Sequence, residues 1–348
     1  MRVQWIDSLK GFLIVLVVLG HVVQSMIDSN VFYTSNYVLV PLFYWIYSFH
    51  MPLFFLVSGY VYRRSWDKRI QASNFWRLLL KKQINLIVLY FQFSLLLGGL
   101  KIFAGGNVKE TVDIYDLLMI PFNPISVFWF LHVLIIFFFV FPCLDRLHYN
   151  YTNYKSLGLL LMLSCFSQLV ILPLDLNKIC THMFFFALGC LFYKSGALPS
   201  IKYIVVLLVF SLLLLNSWPG NVMLKTMVSV SWVLFFYVLF ILKENIISNK
   251  ALILLGQECL AIYLLHPFLV AIYKFLMLKR TDNAVIYCLI GTLLSISIIM
   301  LGVYAVKKLG WYDYIFNLGG KLTVNSNIYP SIFNHGNNHL SKQDDKSQ

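Results

Sequence analysis

Residues 5–27 read WIDSLKGFLIVLVVLGHVVQSMI, and this stretch decides the fold. At 1.5 Å per residue, roughly 20 apolar residues cross a hydrocarbon core of about 30 Å, and this run meets that length. No small-residue cleavage site follows it. Asp7, Lys10 and His21 inside the run would serve no purpose in a discarded signal sequence, so it is expected to be the first permanent helix.

Working outward, the same ruler places spans near 9–27, 37–62, 83–104, 125–144, 156–174, 179–194, 201–216, 223–242, 251–277 and 283–306. The least regular lie beside Leu172-Pro173-Leu174-Asp175 and at Asn216, where the chain could re-enter the membrane. The 348 residues are 60% hydrophobic and only 12% charged, with a mean hydropathy of +0.78. No aqueous fold hides that much apolar surface. The expectation is an all-α polytopic membrane protein with about ten transmembrane helices, one membrane domain over residues 1–316 and a disordered, polar cytoplasmic tail over 317–348. The six cysteines form no CxxC pair, so neither a disulfide framework nor a zinc site is indicated.

The net charge of +13 follows from topology. With the N-terminus inside, most of the 27 Lys and Arg residues fall on cytoplasmic segments, which puts both termini in the cytoplasm of a cell inner or plasma membrane. No soluble module supports nucleic-acid binding. One loop exceeds what orientation needs: Arg63, Arg64, Lys68, Arg69, Arg77, Lys81 and Lys82, interleaved with Trp66, Phe75 and Trp76. It suits an interfacial helix on anionic membrane lipid, a dock for a phosphorylated ligand, or both.

Ionisable groups at membrane depth cost roughly 2.5–3.5 kcal/mol each, so each asks for a reason. The step from Lys10 to His21 closes to within about 20° of one helix face, and Asp7 pairs with Lys10 at the i, i+3 spacing. This stripe sets an imidazole about 16 Å beyond a charged entrance. Gly11 and Gly20 beside it permit close approach of a helix or an extended ligand. In the second span, Pro52 breaks the ladder after His50, and Ser58-Gly59 allows tight packing before Arg63-Arg64. Taken singly, His50 reads as structural, Trp129 as an interfacial belt residue and His182 as core. In the ninth span Glu258 and His266 lie about 80° apart and could face one cavity with Tyr263.

These residues together resemble the acyltransferase-3 family of integral membrane acyltransferases. The resemblance rests on Asp7 and Lys10-Gly11 followed by His21, on Phe49 to Tyr60 followed by Arg63-Arg64, on Trp129-Phe130-Leu131, and on Ile262-Tyr263-Leu264-Leu265-His266-Pro267. Phe49-His50-Met51-Pro52-Leu53-Phe54-Phe55 is closest to the fucose 4-O-acetyltransferase branch, while Lys10 stands where many members carry arginine and Cys259 where serine is common. The resemblance implies transfer of an acetyl or similar short acyl group from cytoplasmic acetyl-CoA, without a metal, to a hydroxyl of a surface polysaccharide or lipid-linked sugar. It makes His21 the base, with Asp7 and Lys10 shaping the donor entrance. Arg63, Arg64, Ser58 and Gly59 would meet the donor, and Trp129, Glu258, Tyr263 and His266 the carbohydrate acceptor. A polysaccharide exporter or flippase is the alternative, because intramembrane charge and a broken helix also mark transport pathways. Oligomeric state is not indicated by any pattern.

Overall fold

A computed structural model describes residues 3–29, 36–67, 73–105, 111–196, 198–213, 222–243, 249–277 and 283–317. The expected cytoplasmic tail beyond 317, and Lys68 and Arg69 of the basic loop, lie outside the described residues. The helices are α1 (Gln4–Ile27), α2 (Asn36–Trp66), α3 (Phe75–Ala104), α4 (Ile114–Leu118), α5 (Trp129–Arg146), α6 (Tyr154–Phe166), α7 (Leu176–Ser195), α8 (Ile201–Leu213), α9 (Val222–Leu242), α10 (Lys250–Gln257), α11 (Cys259–Met277), α12 (Ala284–Lys308) and α13 (Tyr312–Phe316). The described residues form no strand.

Eight of these helices are long and apolar enough to cross a membrane, so the chain is an all-α, multi-pass membrane protein. The expected span over 156–174 is instead a helix of 13 residues, Tyr154–Phe166, too short to cross alone. The expected span over 251–277 breaks at Glu258 into α10 and α11.

Helix α1 is the axis of the bundle. It packs on α2, α9, α10, α11 and α12, and its most apolar window is the most buried among the eight. A helix apolar on every side belongs inside, and here its neighbours rather than lipid cover it. Two reciprocal glycine crossings lock the arrangement. Gly11 of α1 lies on the Leu252 backbone while Gly256 of α10 lies on the Asp7 backbone; Gly59 of α2 lies on the Phe186 backbone while Gly189 of α7 lies on the Leu56 backbone. In lipid such packing takes the place of a hydrophobic driving force between helices.

The contacts also order the two ends of the bundle. Trp5 meets Tyr60 and Tyr237 at 5.2 and 5.8 Å, and Tyr60 meets Tyr193 at 5.3 Å, so the start of α1 lies with the ends of α2, α9 and α7. Two buried carboxylates bind that end together. Asp145 accepts from Tyr62 at 2.5 Å, Arg63 at 2.6 Å and Tyr151 at 3.1 Å. Burial, followed by the nearby Cys190 and Asp145, holds the Tyr151 phenol far above its ordinary range, so it stays a donor at every accessible pH. Glu258 accepts from Lys307 at 2.5 Å and from Tyr312 at 3.2 Å. The start of α1 and the end of α12 therefore share one end of the bundle, and Arg63, Arg64, Arg146, Lys194, Lys307 and Lys308 crowd there.

Candidate active site

Toward the opposite end, a cavity of about 210 Å³ opens among α1, α2, α5, α6, α7, α9 and α11. Helix α1 contributes His21, α2 contributes Tyr47, His50 and Pro52, α7 contributes Lys178 and His182, and Trp129 and Tyr263 come from α5 and α11.

Local chemistry explains how each ring is held. Proline at 267 has no backbone N–H, so the Tyr263 carbonyl four residues earlier loses its helical donor. The His266 imidazole replaces that donor, with Nδ1 2.7 Å from the Tyr263 carbonyl oxygen. A carbonyl only accepts, so Nδ1 carries a proton, and in the neutral ring the lone pair is on Nε2. That Nε2 is buried and has no hydrogen-bond partner among the described residues. The His266 ring lies against His21, centroids 5.0 Å apart and planes at 37°.

Two further histidines share this logic. His50 donates from Nδ1 to the Ile46 carbonyl at 2.6 Å, and His182 donates from Nδ1 to the Lys178 carbonyl at 2.7 Å. Each leaves Nε2 as the basic nitrogen of a neutral ring that lines the cavity. His21 differs. Its Nδ1 faces the Tyr47 hydroxyl at 3.4 Å, a side chain that can either donate or accept. Gly20 gives Tyr47 room, because a Cβ there would stand 2.9 Å from the tyrosine ring. Tyr263 donates to the Val127 carbonyl at 2.6 Å, and Trp129 stands 5.3 Å from the His182 ring.

The structure thus brings His21, Trp129 and Tyr263 to one cavity and sets His266 directly behind His21. Asp7, Lys10, Ser58, Gly59, Arg63, Arg64 and Glu258 do not line it. Glu258 and His266 do not face one cavity: the helix breaks at Glu258 and its carboxylate turns to Lys307. Gly59 is taken up by the crossing with α7, and the Arg63 guanidinium is held by Asp145 and Asp67 at 2.6 and 3.2 Å. Arg64 is the exposed cation of the pair.

His182, which reads as core in the sequence, instead lines the cavity, and with His50 it was the signal most easily missed. Lys178, Lys225 and Gln168 also line it without any motif to announce them. The only local hint is that Lys178 and His182 lie one turn apart on the same face of α7.

The chain belongs to the acyltransferase-3 family: residues 3–304 match the family described as "Acyltransferase domain". It is a multi-pass membrane protein that carries an acyltransferase domain of this family. Among its relatives, the nodulation protein NolL of Sinorhizobium fredii is 38% identical over 122 residues, 31% of this chain and 31% of that protein. The inner membrane protein YcfT of Escherichia coli is 23% identical over 302 residues, 80% of this chain and 83% of that protein. NolL of Mesorhizobium japonicum is 27% identical over 210 residues, 58% of this chain and 52% of that protein. The chain therefore spans about a third and about half of the two nodulation proteins it matches. No solved structure matches it.

Proposed function

We propose that the protein transfers an acetyl or similar short acyl group from acyl-CoA to a hydroxyl of a carbohydrate, a surface polysaccharide or lipid-linked sugar of the cell envelope. The observation that carries this reading is His21 facing a cavity at membrane depth, backed by His266 and Tyr47, in a chain of an acyltransferase family.

The hydroxyl must lose a proton as its oxygen attacks the thioester carbonyl, and the thiol of coenzyme A leaves with the electron pair. A neutral imidazole performs both halves: it takes the hydroxyl proton and returns it to the departing thiolate. His21 is the candidate base. Its 3.4 Å contact with Tyr47 and its packing on His266 fix the ring, so that little orientation is lost in the reaction. Tyr263 and Trp129 form the wall against which the acceptor would rest. The basic end of the bundle, expected to be cytoplasmic, supplies Arg64 and Lys10 for the phosphates of the donor, and a pantetheine arm would reach roughly 16 Å from there to His21.

The test uses the full chain in lipid with acetyl-CoA and a cell-envelope glycan extract. Free thiol should appear only when both are present, and labelled acetyl should enter the glycan. Movement of glycan across the bilayer without thiol release would replace this reading with export.

A further inference from the structure

The cavity has a charge imbalance. Among the described residues its walls hold two lysines, Lys178 and Lys225, and three histidines, but no aspartate or glutamate. Lys178 is drawn partly aside by Asp175, 2.8 Å from its Nζ, and lies 5.4 Å from the centre of the Trp129 ring. Lys225 makes no ion pair or hydrogen bond among the described residues. Each lysine sits within the first turn or so of its helix, Leu176–Ser195 and Val222–Leu242, where the aligned peptide dipoles add positive potential. Lys225 is exposed at the mouth of the cavity, so an entering ligand meets positive charge there, and one that carries the counter-charge gains a charge-assisted contact.

Position tells which substrate brings it. Lys225 and Lys178 stand near the starts of α9 and α7, whose ends meet Trp5 and Tyr60. They are therefore at the opposite end of the bundle from Arg64 and Lys10, the cations suited to a nucleotide donor. Resting on the transfer reading above, we propose that Lys178 and Lys225 hold a phosphate or carboxylate carried by the acceptor sugar, with the sugar ring against Trp129 and its hydroxyl toward His21. The acceptor is thus an anionic sugar, either a sugar phosphate or an acidic sugar residue, rather than a neutral one.

The first assay measures binding alone. The full chain in phosphatidylcholine nanodiscs is titrated calorimetrically with glucose 1-phosphate, glucuronate and glucose. The two anionic sugars should bind at least about tenfold more tightly than glucose, the scale of one hydrogen bond to a charged group. Lys225→Gln should remove most of that preference, Lys225→Arg should keep it, and Lys274→Gln, which alters a lysine that does not line the cavity, should leave it unchanged. Equal binding of glucose and glucose 1-phosphate, no binding of either anionic sugar at millimolar concentration, or an unchanged preference in Lys225→Gln would overturn the proposal. Phosphatidylglycerol discs separate a sugar-borne anion from a lipid headgroup: loss of sugar binding there through competition at Lys225 would assign the site to lipid and also overturn it.

Thiol release from acetyl-CoA is then measured on the same samples. Anionic sugars bound through Lys225 without thiol release would leave this inference standing and refute the transfer reading. Release onto neutral glycans with undiminished rate in Lys225→Gln would refute this inference alone.

Discussion

Replacing Gly189 by alanine puts a methyl group where α7 crosses α2. A Cβ there would stand 2.8 Å from the Leu56 carbonyl carbon and 2.9 Å from the Tyr60 nitrogen, with the Leu56 oxygen closer still. These are backbone atoms, so no rotamer change relieves the clash; the helices must separate by more than about 1 Å to clear the Leu56 oxygen. Overpacking of this kind costs about 1–3 kcal/mol. The same crossing carries His50 on α2 and His182 on α7 into the cavity, so separation also loosens the site. Thermal unfolding in detergent should fall by several degrees and thiol release should drop with it. Gly99→Ala and Gly302→Ala, where a Cβ meets nothing within 4 Å, serve as controls and should be as stable as the parent or slightly more so, because alanine favours helix. A Gly189→Ala protein with the parent's melting midpoint and activity would refute the crossing and the placement of both histidines.

Other substitutions separate structural from functional charge. Arg63→Gln should destabilise the fold by about 2 kcal/mol, because it leaves the buried Asp145 with tyrosine donors only, while the donor KM of the folded fraction stays unchanged. Arg64→Gln should instead raise the KM for acetyl-CoA, because Arg64 is the exposed cation of the pair. Glu258→Gln breaks a pair with a half-exposed lysine, so about 1 kcal/mol of stability should be lost and the acceptor KM should not move. Tyr47→Phe removes only a long contact with His21 and should lower kcat a few fold, with both KM values kept.

Much of the membrane architecture was legible because apolar run length is set by bilayer thickness, a constraint that acts on each helix separately. The family motifs were legible for a similar reason: His21 and Lys10 share one helix, and their phase follows from spacing alone. The cavity was not, because its other members meet across helices. Within its own span His182 bonds the Lys178 backbone, which no side-chain pattern announces, and its setting comes from α2, α5 and α9. Glu258 misled for a specific reason. The 80° argument assumes an unbroken helix, and the chain turns at Glu258 itself, between α10 and α11, where Lys307 and Tyr312 from the far end of the sequence claim the carboxylate. Proline was informative where it stood beside histidine, since Pro267 frees the carbonyl that orients His266. Gly59 is a place of tight approach that the Ser58-Gly59 pair signals in the sequence, and the approaching body is α7.

The most direct test of the central claim is acceptor-dependent thiol release from acetyl-CoA by His21→Ala, measured in lipid beside the parent protein and beside His50→Ala and His182→Ala. Loss of a general base costs about 10²–10⁴ in rate, so His21→Ala should fall by at least about a hundredfold at an unchanged melting midpoint, with the other two variants less affected. A well-folded His21→Ala protein that releases thiol within a few fold of the parent rate would contradict the account and move the base to His50 or His182.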